Sequence, residues 1–174
     1  KSAAKFKLVT NYRSTKQIIK FANEILKPFT RKYLPKSINR VGEEPLVEIS
    51  RSSTEMTQKF IENFSKEVKK VEKSIGVIVF ESPDFRFNDI KKEINEIEIN
   101  GMKNNFIELN SKQKTTYIPN GVYFMKADDC KGLEFSKVYV LNLNLKKIKT
   151  FSKAKEAFVA VTRAMNELCI YGVK

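Results

Sequence analysis

Residues 75–80 read IGVIVF, an apolar run with no polar residue to mark a solvent face. Such a run is the pattern of a strand covered on both sides, as in parallel sheets flanked by helices. Reading outward, PLVEIS (45–50) forms a strand upstream. Ser52 and Glu55 then have capping-box spacing, and Met56, Phe60, Phe64, Val68 and Val71 make the stripe of a long helix. Downstream come a shorter helix over 88–98 and strands NFIEL (105–109), GVYFMKA (121–127) and KVYVLNL (137–143). Ser152 caps a last helix that ends near Met165, and LCIYGV (168–173) closes the chain as a strand.

The N-terminal part has the same alternation. FKLVT (6–10) reads as a strand, and a helix begins just after Arg13, with Ser14 and Gln17 as a capping box. Ile18, Ala22, Ile25 and Leu26 lie on one face of it, Pro28 ends it, and residues 28–45 read as a loop. Strand and helix alternating in this way predict an α/β domain with a mostly parallel sheet, over residues 1–174 as one unit. In such sheets ligand-facing residues gather where strands end and helices begin.

Composition narrows the chemistry. The 174 residues are 41% hydrophobic, enough for a core. There is no histidine and there are two cysteines, which excludes a His base, a disulfide framework and a structural zinc site. The net charge of +13 favours polyanionic partners, nucleic acid or nucleotide phosphates. With no disulfide framework, a reducing cytoplasm is the expected compartment, and no apolar run reaches the roughly 20 residues of a membrane span, so no membrane partner is expected. The opening Lys1-Ser2-Ala3-Ala4, without an initiator Met, reads as the start of a piece of a larger protein.

Three stretches carry candidate chemistry. Tyr12-Arg13 precedes a helix start, where an aromatic can stack on a base and a guanidinium can reach a phosphate. Lys131-Gly132-Leu133-Glu134-Phe135 turns sharply at a glycine into an apolar strand. Glu134 there can accept a hydrogen bond from a sugar hydroxyl. On the last helix, Ala154, Ala157, Phe158, Val161 and Met165 cluster on one side, and Arg163 points nearly opposite, towards an abutting domain. Each alone is equally an ordinary loop or surface feature.

Together, LVTNYRSTKQIIKFANEIL, DDCKGLEFSKVYVLNL and EAFVAVTRAMNELCIYG resemble, in order, motifs IV, V and VI of superfamily 1 helicases of the UvrD/Rep type. The compact spacing between Arg13 and Lys131 is most similar to the bacterial helicase IV/HelD branch. The resemblance implies a RecA-like, P-loop NTPase-type fold, acting as the second motor domain of an ATP-dependent helicase or translocase. It implies that Tyr12 stacks on adenine, that Arg13 and Arg163 face the phosphates, and that Lys131, Gly132 and Glu134 form a nucleotide contact with Glu134 near the ribose. ATP and Mg²⁺ would both need an N-terminal motor domain of the same chain. This sequence has no Gly-Lys dipeptide for a P-loop and no Asp-Glu pair for the metal, so the domain alone is expected to be inactive. The implied partner is single-stranded or duplex DNA, or RNA polymerase as for some HelD-like proteins. Asp128-Asp129-Cys130 stand where the family often carries Thr or His. The rival reading is a non-enzymatic, basic nucleic-acid-binding α/β module.

Overall fold

The computed structural model describes residues 10–32, 34–110 and 118–174. The strand reading over residues 6–9 lies outside them. In chain order the elements are β1 (Thr10–Asn11), α1 (Lys16–Leu26), β2 (Lys36–Ser37), β3 (Leu46–Ser50), α2 (Ser53–Glu67), β4 (Ile75–Val79), α3 (Phe87–Asn95), β5 (Ile107–Leu109), β6 (Val122–Lys126), β7 (Phe135–Leu141), α4 (Phe151–Val161) and β8 (Ala164–Val173). Short 3-10 turns cover Ala127–Cys130 and Leu145–Lys147.

The main sheet has the order β3-β8-β7-β4-β6-β5, with every pair parallel. β1 and β2 pair separately, also in parallel. The apolar run 75–79 is buried at all five positions, as a strand in the middle of a helix-covered sheet must be. One core layer lies between the sheet and α1 and α4, around Ile18, Ala22, Ala157 and Val138. The other lies under α2 and α3, where Phe60 and Phe64 meet Tyr139 and Tyr171 edge-on. Gly76 on β4 leaves room for the ring of Phe135 on the neighbouring strand β7. A Cβ there would stand 2.5 Å from the Phe135 ring.

Caps explain where the helices start. Ser52 caps α2 by accepting from Glu55 N at 3.2 Å, while the Glu55 carboxylate accepts from Arg51 N at 2.8 Å. The cap read at Ser14 belongs to Thr15, whose Oγ1 accepts from Ile18 N at 3.5 Å. Likewise Thr150, not Ser152, caps α4. The last helix also ends four residues early, at Val161, and Met165 is already in β8.

One polar group of charges is folded into the sheet. Lys137 on β7 is 8% exposed and reaches Glu67 at the end of α2 and Glu167 on β8, both at 3.1 Å. Lys73 closes the ring at 3.0 Å from Glu67 and 2.6 Å from Glu167. Two cations and two carboxylates thus satisfy one another where strands β7 and β8 begin.

Candidate functional site

The NYRST stretch is a turn built by its own asparagine. Asn11 Oδ1 accepts from the backbone N–H groups of Arg13 and Ser14, both at 2.9 Å. The turn leaves Tyr12 73% exposed. Ser14, fully buried, donates from Oγ to Ala164 O at 2.7 Å, and Thr15 N donates to Met165 O at 3.2 Å. The segment bearing Tyr12 and Arg13 is therefore stitched to the first residues of β8.

Arg13 turns back to pair with Glu134. Its Nε is buried without a hydrogen-bond partner among the described residues. Glu134 comes from the turn between Cys130 and β7, where Gly132 has φ +80° and Leu133 N donates to Cys130 O at 3.3 Å. No atom would crowd a Cβ on Gly132, so it is the left-handed backbone, not lack of space, that asks for glycine. Lys131 and Gly132 are both exposed in the same turn.

Arg163 departs from the helical reading. It lies past the end of α4, in the turn into β8, and is half-buried. Its Nε donates to Val159 O at 2.9 Å and its Nη1 to Leu133 O at 3.0 Å. Ala160, which is not part of the apolar stripe read for that helix, is fully buried. Burial first, and the charge of Arg13 second, push the Arg163 guanidinium below its ordinary value, with Cys130 and Glu134 acting the other way. An arginine so shifted still keeps its proton. Burial holds the nearby Cys130 thiol up at about 11, against the pull of Arg163, so it is no thiolate nucleophile at neutral pH.

Arg13, Glu134 and Arg163 thus meet although their positions are remote in sequence. Tyr12 stands exposed beside Arg13, and Lys131 and Gly132 lead into Glu134. Glu134 and Arg163 immediately precede β7 and β8, so this cluster occupies the edge where those strands start. Tyr12 and Arg13 lie between the end of β1 and the start of α1, the kind of junction expected from the sequence, whereas Glu134 and Arg163 lie before strands. At the opposite edge a hollow of about 460 Å³ is bordered by Val79, Lys126, Leu143 and Val173, with Glu81, Asp84, Asp128 and Glu156 among its acids. Burial first, then Asp128, raises the Glu156 carboxyl.

Arg40 is the residue that the sequence reading missed. It donates from Nη1 to Arg13 O at 2.7 Å and from Nη2 to the side chain of Asn166, which itself donates to Ser136 Oγ at 2.8 Å. Nothing local in the loop 28–45 marks it. The Asn11 turn, by contrast, has a recognisable local signature. Among the described residues no three Cys, Asp or Glu side chains converge as a metal site.

A six-stranded parallel sheet between two helical layers, with two arginines and a glutamate gathered at the start of adjacent strands, defines an α/β domain of the RecA-like type. Within that class the chain belongs to the UvrD-like helicase C-terminal domain family, whose sequence profile matches residues 6–118. The fold is similar to the crystal structure of the C-terminal domain of a possible DNA helicase from Lactobacillus plantarum WCFS1. That match has 22% identity and a TM-score of 0.61, and covers 93% of this chain and 87% of the other. No curated protein matches the chain.

Proposed function

We propose that this domain supplies half of an interdomain ATP site in a DNA helicase or translocase. The observation that supports the reading best is the meeting of Arg13, Glu134 and Arg163, with an exposed Tyr12 alongside. Tyr12 presents a ring face to adenine, and the Lys131–Glu134 turn meets the sugar. Arg163 spends Nε and Nη1 on carbonyls, which fixes the direction of its remaining nitrogen. A fixed guanidinium is what stabilises charge that develops on a transferring phosphoryl group, because it needs no reorganisation at the moment of reaction. Arg13, balanced by Glu134, is the second phosphate-facing group. Mg²⁺ and the P-loop contacts belong to a partner motor domain of the same polypeptide.

The fit to ATP rests on these side chains: an exposed aromatic ring beside two cations, of which Arg13 alone has a carboxylate within ion-pair distance among the described residues. The test is nucleic-acid-stimulated ATPase of the two-domain polypeptide. Arg163→Ala should lower kcat by on the order of 10³ or more, and Lys should rescue poorly for want of the planar fork. Turnover near wild type in the alanine variant defeats the assignment.

One observation favours a second reading, an ATP-driven remodeller of RNA polymerase. The strand-end hollow has four carboxylates, Asp128 among them, against Lys126, Lys147 and Lys153, a small acidic excess that suits basic protein side chains better than a phosphodiester. Asp128→Lys should then weaken polymerase binding; an unchanged affinity for polymerase defeats that reading.

A further inference from the structure

Charge is unevenly compensated over this molecule. From residue 53 to residue 110 Lys59, Lys66, Lys70, Lys91, Lys92 and Lys103 each have a carboxylate within ion-pair distance, with exposed Lys69 the exception among the described residues. Around α1 and β2 the reverse holds. Lys16, Lys20 and Lys36 are exposed and have no carboxylate within that distance among the described residues. Lys27 pairs only with Glu24, at 3.4 Å and on the open surface, which is a weak and readily exchanged contact.

These four lysines surround one open groove of about 540 Å³. Lys16, Lys20 and Lys27 fall within a narrow stripe of α1, since four residues advance a helix by little more than one turn and eleven by about three. Lys36 faces them from β2. Asn23 Nδ2 donates to Pro35 O at 2.9 Å, so the two walls are tied to each other and the lysines are held as a set. Glu24 is the one acid on the rim.

We propose that this groove binds the phosphate backbone of a nucleic acid strand. It deepens the reading that the domain meets a polynucleotide by naming a surface for it on α1 and β2, which begins three residues after Arg13. Eleven residues of helix span about 16 Å. At one phosphate per roughly 3.4 Å of each strand, that length faces about five phosphates. The lysines are point donors on flexible stems, suited to a backbone rather than to base edges. The proposal therefore carries no sequence preference.

The experiment measures binding of the 174-residue chain to a fluorescein-labelled 20-nucleotide single strand and to a 20-base-pair duplex, over a range of salt. Lys16→Ala/Lys20→Ala/Lys36→Ala should weaken binding roughly tenfold or more at low salt and flatten the log–log salt slope by about three for the duplex, near 0.9 per lost phosphate contact, and by about two for the single strand, near 0.7 per contact. The control Lys66→Ala/Lys92→Ala/Lys103→Ala removes the same charge from the paired surface and should change affinity and slope much less. Equal losses in both triples mean that only net charge counts, and overturn the groove. So does an unaltered slope in the first triple. In that case wild-type binding still supports contact with nucleic acid elsewhere on the domain, whereas no wild-type binding defeats both. Should the triple variant fold poorly, amide shifts of the wild-type chain decide. Perturbation by the oligonucleotide concentrated at residues 16–27 and 36–37 supports the groove, and perturbation absent there overturns it. Equal binding to anionic phospholipid vesicles, lost in the same variant, would reassign the groove to a membrane surface.

Discussion

Arg163 Nη1 donates to the carbonyl of Leu133 at 3.0 Å, so the arginine that follows α4 is anchored on the backbone of the turn that carries Glu134. Removing it therefore has two consequences. Hydrogen bonds from a charged donor contribute on the order of 2 kcal/mol, and Arg163→Ala should lower the unfolding free energy of the isolated chain by about that much. Urea unfolding measures it. A loss within a few tenths of a kcal/mol would show that the two carbonyl contacts do not hold in solution.

Arg40 should behave as a positioning residue. Its guanidinium ties Arg13 O to Asn166, and Asn166 to Ser136, so it joins the three segments that bear the cluster. In the two-domain polypeptide, Arg40→Ala should reduce kcat for ATP hydrolysis about tenfold and leave the pH profile unchanged. Asn166→Ala should reproduce most of that effect, and the double variant should be less than additive. Strict additivity would separate the two residues.

Tyr12→Ala should leave the melting temperature unchanged, because the ring is 73% exposed. It should raise KM for ATP more than it lowers kcat, since stacking acts on ground and transition states alike. Phe should restore most of the affinity. An unaltered KM removes Tyr12 from the adenine contact.

The ring of Lys73, Glu67, Lys137 and Glu167 predicts a pH dependence. Burial works to raise both glutamates, but hydrogen bonds from the two lysines outweigh it, and both carboxyls are held below their ordinary range. Folded glutamates of this kind bind protons less readily than unfolded ones. Their stabilisation is complete above the ordinary glutamate pKa of about 4.3 and is lost as pH falls through the folded values. Lys137→Met should remove much of this acid-side slope and cost about 3 kcal/mol at neutral pH, because it leaves two carboxylates facing one lysine. Urea midpoints between pH 3 and 7 test both statements.

Gly132→Ala should destabilise by about 1 kcal/mol through backbone strain alone, since no neighbour would touch the new methyl. Asn at that position should cost less. A loss of several kcal/mol would mean that the turn rearranges.

How much of this was legible depended on whether the signal was local. The apolar run 75–79, the Ser52 cap and the Met56, Phe60 and Phe64 part of the α2 stripe depend on neighbours within one element and stand as read, whereas Val68 and Val71 are buried beyond the end of the helix at Glu67. Ser14 has the chemistry of a cap, but its hydroxyl is used by Ala164 O, 150 positions away, and no window of sequence contains that competition. The end of the last helix was misjudged because Ala164 and Met165 continue its apolar stripe, yet they lie in β8, where Ala164 pairs with Phe135 of β7. That shift moved Arg163 from a solvent-facing helix position into a half-buried turn. The gathering of Arg13, Glu134 and Arg163 came from resemblance and not from spacing, and Arg40 from neither.

The order of strands also bears on how the chain is made. β8 follows the other five strands of its sheet in the chain, yet it lies between β3 and β7. On the ribosome β3 waits for its neighbour until residues 164–173 emerge, more than a hundred residues after it. At about 5–20 residues per second that is on the order of 10 s. Throughout that time Leu46, Val47 and Ile49 lie on a strand without a partner, which makes β3 the segment most in need of a chaperone during translation.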